Sequence, residues 1–265
     1  MKMVKKVLMG LAAAAAVMAL AGCVIEDDTE GAIKGSGKKY TVAYANETGT
    51  PYRAYKATAL KHAGALVKVS FETTEDSEVK TSKMGVIFNL HNNEDNKDAK
   101  DFYIIGLNPT STNKNFYVSK MSGIVDIQAD NFGASTTASE GEPKEIEIVS
   151  ITNNKEIAAV KADAGGIWSV YVYYKALTDG SFDYKVLNIT DDVAKNFDLK
   201  EGTFDSSVVL AEGNTKAAAG AEWEECEEGK QPQNKVAFYA QIAAGANLEG
   251  SWNVIGTYLE AEDAE

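Results

Sequence analysis

The chain has 265 residues with 39 acidic against 26 basic side chains, a formal net charge of −13. That balance disfavours nucleic acid and anionic lipid headgroups as partners, because like-signed fields repel them. His62 and His91 are the only histidines and Cys23 and Cys226 the only cysteines, so no set with zinc-ligand spacing exists and histidine-dependent hydrolysis is not expected.

The first element is a signal for export. Lys2, Lys5 and Lys6 precede an unbroken apolar run from Val7 to Leu20, with alanines at 12–16, and the run closes on Leu20-Ala21-Gly22-Cys23. An apolar stretch of about 20 residues also has the length of a membrane span, but a cationic start, an alanine-rich centre and small residues at the end describe a secretory signal peptide. The closing tetrapeptide resembles the lipobox of bacterial lipoproteins. That resemblance implies that residues 1–22 are removed, that the Cys23 thiol carries diacylglycerol, and that the new amino terminus gains a further acyl chain. Val24, standing where an inner-membrane retention aspartate would, implies the outer membrane as the address. Two or three acyl chains, at about 0.8 kcal/mol per buried methylene, anchor a protein firmly. Removal of the three lysines also makes the mature chain three charges more negative. Residues 23–38 are charged, contain Gly and Ser without periodicity, and read as a lipidated flexible tether with a reach of roughly 20 Å.

From 39 to 260 the sequence reads as one domain of short β-branched and aromatic runs separated by turn residues, followed by an acidic tail at 261–265. The expected strands are Tyr40 to Ala45, Leu66 to Thr73, Gly85 to His91, Phe102 to Leu107, Asn115 to Met121, Glu145 to Ile151, Trp168 to Lys175, Phe182 to Ile189, Ser207 to Ala211, Val236 to Ile242 and Trp252 to Leu259. Val67, Val69 and Phe71 alternate with Lys68, Ser70 and Glu72, the pattern of a strand with one wet face. By contrast Gly85 to Leu90 and Phe102 to Leu107 are apolar on both parities, which predicts central strands covered on both faces or bordering a semi-buried concavity. Thr178-Asp179-Gly180 between two aromatic runs predicts a hairpin. Residues 52 to 62 allow a helix, with a hairpin arm before Ala63-Gly64 preferred, and 191 to 198 suit one or two helical turns.

Long irregular stretches at 92–100, 131–144 and 212–234 carry the remaining candidates. Residues 92–101 are rich in hard oxygen donors of the type calcium takes, but lack the central glycine and terminal glutamate of a calcium loop. A solvated loop is the preferred reading, and no cofactor is expected. Trp223 and Cys226 lie among glutamates in 222–228. Surrounding carboxylates oppose thiolate formation, and with Cys23 committed to lipid Cys226 has no intramolecular disulfide partner. Trp223 is read either as the cover of an open sheet end or as an anchor for a ligand.

The succession Val67 to Phe71, Met84 to Leu90, Phe102 to Leu107, Asn115 to Val118, the pair Trp168 to Tyr174 with Phe182 to Val186, and the closing pair Val236 to Gln241 with Gly250 to Ile255 resembles the concanavalin A-like lectin/glucanase superfamily. That resemblance implies an all-β, antiparallel two-sheet jelly-roll sandwich and a glycan ligand on its curved inner face. The acidic motif Glu-x-Asp-x-x-Glu of the superfamily's glucanases is absent, Glu145-Ile146-Glu147 being its nearest approach.

The expected function is that of a membrane-anchored, non-enzymatic envelope lipoprotein whose sandwich binds carbohydrate or another surface ligand. The expected ligand-binding residues are Asn89, His91, Tyr103, Tyr171, Tyr173 and Trp223, since planar rings stack on sugar faces while Asn and His give directional hydrogen bonds. Core packing is the competing reading of each aromatic. Two alternatives stand beside this: a glycoside hydrolase of the same fold, which needs two convergent carboxylates, and a structural or antigenic surface protein with no small ligand.

Overall fold

The computed structural model describes residues 32–49, 51–72, 82–92, 100–108, 115–124, 144–150, 163–177, 181–215 and 234–258. Cys23, Trp223, Cys226, the turn at 178–180 and most of the oxygen-rich loop lie outside them. Thirteen strands are present among the described residues: β1 (Ile33–Ser36), β2 (Lys39–Ala45), β3 (Tyr52–His62), β4 (Gly64–Glu72), β5 (Lys83–Asn92), β6 (Lys100–Asn108), β7 (Asn115–Ile124), β8 (Lys144–Ser150), β9 (Ile167–Ala176), β10 (Phe182–Leu187), β11 (Val209–Asn214), β12 (Asn234–Ile242) and β13 (Asn247–Tyr258). The short helix α1 (Asp191–Lys195) is capped by the Thr190 side chain, which accepts from Val193 N–H, and Asp191 and Asp192 complement its first turn.

All pairing is antiparallel. One sheet, here sheet A, has the order β1-β2-β13-β4-β9-β10-β11, and sheet B has the order β3-β12-β5-β6-β7-β8. The protein is therefore an all-β two-sheet sandwich, as the alternating runs predict. Between the sheets lie Val67, Val69 and Phe71 of β4, Val170, Val172 and Tyr174 of β9, Val86 and Phe88 of β5, and Phe238 of β12. Aromatic rings bridge the two layers: Phe88 of sheet B stacks on Tyr174 of sheet A at 4.7 Å, and Phe238 lies 5.3 Å from Trp252. Each buried ring removes a large apolar area from water and adds about 0.5–1.5 kcal/mol when paired in such geometry.

Both sheets also bury part of their other face. On sheet B, Ile87, Phe102, Ile104, Met121, Ala237 and Tyr239 form a second apolar cluster, which explains why β5 and β6 are apolar on both parities. On sheet A, Leu66, Tyr171, Tyr173 and Leu187 are packed beneath Ala194, Phe197, Leu199 and Phe204, so the segment from α1 to residue 204 lies across β4, β9 and β10 as a strap.

Two expectations are corrected. The tether does not run to residue 38, because Ile33–Ser36 pairs with β2 and Ile33 is 3% exposed. Gly35, at φ +130, fits there because a Cβ would stand 2.2 Å from the Lys39 carbonyl oxygen. Segment 52–62 is a strand, but not a hairpin arm against the next one. β3 pairs with β12 in sheet B whereas β4 pairs with β13 and β9 in sheet A, the chain changing layers at the buried Ala63.

Candidate functional site

Sheet B carries a line of register breaks. They fall between Lys235 and Ala237 in β12 against both β3 and β5, between Phe88 and His91 against β6, and between Lys100 and Phe102 against β7. Bulges bend a strand, raise its twist and re-aim side chains, and here the irregularity crosses five neighbouring strands. At its centre is Asn89, the one non-glycine residue with positive φ among the described residues, at φ 54. Asparagine tolerates this left-handed conformation better than most L-residues. Its side chain is 6% exposed, and Thr58 of β3, also in the irregular stretch, is 3% exposed.

Away from the bulge line the outer face of sheet B is organised in cross-strand rows. One row runs Ala57, Ala237, Ile87 and Ile104; the next runs Tyr55, Tyr239, Gly85 and Gly106. Two glycines on the central strands thus separate the tyrosine pair Tyr55 and Tyr239 from β7, a gap of about 14 Å at the usual strand spacing. At the end of the face, Gln241 pairs with Arg53 on one side and Lys83 on the other.

Exposure divides this face. Ile87, Ile104 and Tyr239 are fully buried, whereas Arg53, Tyr55 and Lys83 are half-buried. The solvent-reaching part is therefore the end with the half-buried Arg53, Tyr55 and Lys83, among which Gln241 is itself buried at 8% exposure. Burial pushes the Tyr55 phenol up to about 12, so it stays neutral and presents an uncharged ring. On the neighbouring strand the Tyr239 hydroxyl donates to Gln241 Oε1 at 3.0 Å. That bond fixes the amide and leaves its Nε2 protons for another acceptor.

The structure does not gather the sequence-expected residues into one place. Tyr103 lies in the inter-sheet core, its ring 5.4 Å from Phe88. Tyr171 and Tyr173 are on sheet A, under the strap. The Tyr171 hydroxyl donates to Asp191 Oδ1, and burial followed by that carboxylate raises its pKa; Tyr173 donates to the Leu199 carbonyl at 3.0 Å. Asn89 belongs to the bulge line, where the backbone of His91 pairs with Asp101. Glu145 and Glu147 occupy the edge strand β8, opposite Met121 and Ser119. Among the described residues no group of three His, Cys, Asp or Glu side chains is placed to hold a metal ion.

Arg53, Tyr55, Lys83 and Gln241 were not singled out by the sequence reading. The signal existed as parity: Arg53 with Tyr55, and Tyr239 with Gln241, are same-face pairs at spacing two. What joins them is the pairing of β3 with β12, far apart in the chain.

No protein-family model and no curated protein matches this chain. Among solved structures it is similar to a legume lectin-like domain from Entamoeba histolytica, at 10% identity over 88% of this chain and 89% of that one, TM-score 0.41. The kappa-carrageenase of Pseudoalteromonas carrageenovora, in complex with an oligotetrasaccharide of kappa-carrageenan, aligns at 6% identity over 87% and 89%, TM-score 0.39. An alginate lyase in complex with an alginate tetrasaccharide aligns at 10% identity over 84% and 82%, TM-score 0.38. The two-sheet architecture stands on this chain's own strand pairing.

Proposed function

We propose that this protein is a lipid-anchored, non-enzymatic component of a bacterial cell envelope that binds carbohydrate through the outer face of sheet B. The observation that carries the binding reading is the half-buried Tyr55 ring, cross-strand partner of Tyr239 and on the same sheet face as Arg53, Gln241 and Lys83. A planar ring offers a stacking surface to a sugar's C–H face, and flanking donors address its oxygens. The envelope address rests on Leu20-Ala21-Gly22-Cys23 at the end of the apolar run.

Two measurements test the two halves. Cells expressing the full chain and fed labelled palmitate are expected to label the protein, and Cys23→Ser is expected to abolish label and membrane retention together; retention of both in Cys23→Ser would remove the anchor. The detergent-solubilised chain is expected to bind members of a broad glycan panel, and Tyr55→Ala to weaken that binding about tenfold, the scale of one lost ring contact. Turnover of a bound glycan would replace the binding reading with the hydrolase one.

A further inference from the structure

We propose that the edge of the sandwich formed by β1, β2 and β3 is a docking surface for a membrane with anionic headgroups, and that Lys34, Lys38, Lys39 and Lys56 are its contact charges. This rests on the lipid-anchor reading and adds which side of the anchored body meets the membrane. From residue 31 to 71 the only carboxylate side chain is Glu47, whereas Lys34, Lys38, Lys39, Arg53, Lys56, Lys61 and Lys68 are cationic. A net positive stretch therefore opens the folded body of a chain whose net charge is −13. Topology gathers it further. β1 ends sheet A, β3 ends sheet B, and the two approach each other across the sandwich, with Tyr44 of β2 stacked on Tyr52 of β3 at 4.1 Å.

The β1–β2 hairpin holds its charges in fixed places. Ile33 and Tyr40, 3% and 4% exposed, seat it on the core, and the Val254 N–H donates to the Lys38 carbonyl at 2.8 Å, which ties down the turn. Lys34 and Lys39 lie on the outward parity, opposite Thr41 and Ser36. Lys38 follows Gly37, at φ +60, in the turn, and all three lysines are exposed. Lys56 shares the parity of buried Ala54 yet is only half-buried, because β3 is the last strand of its sheet. An inward lysine on an edge strand also blocks strand addition, which accounts for Lys56 but not for the lysines of the hairpin. None of these four ammonium groups belongs to an ion pair among the described residues, unlike Lys68, which is held by Asp191. Compact ammonium charges suit phosphate oxygens, and each lysine close to an anionic bilayer is worth about fivefold in partition. Screening beyond about 8 Å at physiological salt lets the nearest charges decide, so this edge is attracted although the chain as a whole is repelled. The edge also contains the first strand after Cys23 along the chain, with a flexible reach of roughly 17 Å from Cys23 to Ile33. Glu26, Asp27, Asp28 and Glu30 within that segment oppose the attraction.

Amine footprinting of the full chain on vesicles tests this. The detergent-solubilised protein is added to preformed vesicles of phosphatidylcholine, alone or mixed with phosphatidylglycerol, and the rate at which an acylating reagent modifies each lysine is read by mass spectrometry. Lys34, Lys38, Lys39 and Lys56 are expected to react at least about fivefold more slowly on the anionic vesicles, with the difference removed by high salt. Lys195 and Lys200, exposed on the strap, are expected to react alike on both. Lys34→Gln, Lys38→Gln and Lys39→Gln combined, all at exposed positions, are expected to leave flotation with neutral vesicles intact and to remove the protection of Lys56. Equal rates on the two vesicles would overturn the docking surface, and so would equal protection of Lys195 and Lys200, which would mean adsorption without orientation. Protection by polygalacturonate as large as by anionic vesicles would reassign the edge to acidic polysaccharide and overturn the membrane as its partner. A chain that fails to float with neutral vesicles but keeps its edge protection on anionic ones would remove the anchor and uphold the surface. Association with neither vesicle would overturn both.

Discussion

At the scale of single residues, Asn89 and Asn46 show polar side chains doing the work of backbone. Asn89 holds φ 54 inside a central strand, where an L-residue with a Cβ and no local hydrogen bond is strained by roughly 1–2 kcal/mol. Asn89→Ala is expected to lower urea stability by about 2 kcal/mol, from that strain plus the lost polar side chain. Asn89→Gly should recover about half, because glycine accepts the conformation. If the two variants unfold at the same urea concentration, backbone strain is not what selects asparagine there. Asn46, 1% exposed, donates from Nδ2 to the Ile242 and Ala243 carbonyls at 3.1 and 2.9 Å and accepts from Thr48 N–H and Oγ1 at 3.1 and 2.7 Å. Its amide thereby ties the connection after β2 to the connection between β12 and β13. Asn46→Ala, which removes these side-chain hydrogen bonds from a buried position, is expected to cost about 2–4 kcal/mol in the same denaturation assay.

At the scale of elements, the strap over sheet A explains why β9 carries tyrosines on its outward parity. Tyr171 reaches Asp191, Tyr173 the Leu199 carbonyl, and Lys175 the Lys200 carbonyl, so three consecutive outward positions hold three successive points of the strap. Phe197 and Phe204 stack at 3.7 Å and both meet the Tyr173 ring edge-on. Gly202, at φ +69, is required twice over, since a Cβ would stand 2.3 Å from the Tyr173 hydroxyl oxygen. Tyr173→Phe is therefore expected to cost about 1 kcal/mol and Tyr173→Ala about 3–5 kcal/mol by urea denaturation. Near-equal values would mean that the strap does not rest on this ring. The hydrogen bond from Lys68, then that from Tyr171, holds the Asp191 carboxyl below its ordinary value. A depressed carboxyl stabilises the fold above its unfolded pKa and loses that contribution as pH falls through the folded one. Asp191→Asn is thus expected to flatten the acid limb of stability slightly, the side chain being 56% exposed and its ion pair with Lys68 screened. The strap's local composition permitted the prediction of one or two helical turns at 191–198. That its aromatics roof over β9 did not follow, because the contact joins two segments only through the outward parity of a strand in another position.

At the scale of the whole molecule, the sandwich is sensitive to base through its tyrosines. Burial pushes Tyr55 and Tyr184 up to about 12 and lifts Tyr103, Tyr173 and Tyr174 well above the ordinary phenol value. A raised phenol pKa stabilises the fold fully below the unfolded value near 10 and the contribution is lost as pH rises through the folded values. Tyrosinate absorbance from these residues is therefore expected to appear with loss of structure in one step above pH 10, as followed by circular dichroism on the same samples. Their titration one by one in an otherwise folded protein would show the rings to be less enclosed than the packing of Tyr174 against Phe88 indicates.

Parity along each strand was local information, and it was enough for the sandwich class, for most strand positions, and for the double-sided burial of β5 and β6. Hydrophobic alternation with period two acts within a strand and needs no partner to be read. Partnership was another matter. β3 could be recognised as extended, yet its seat beside β12 depends on strands near opposite ends of the chain closing one sheet, and no residue near 52–62 encodes that neighbour. The same non-local closure decided the candidate site: Arg53, Lys83 and Gln241 come from three strands, and only the register of β3, β12 and β5 makes them one row. Tyr103, Tyr171 and Tyr173 carried the right chemistry in the sequence, but the layer each faces was settled by packing between sheets and under the strap. The amino-acid order determined which side chains share a face of a strand; the tertiary structure decided which strands share an edge, because hydrogen-bonded sheets join segments without regard to their distance along the chain.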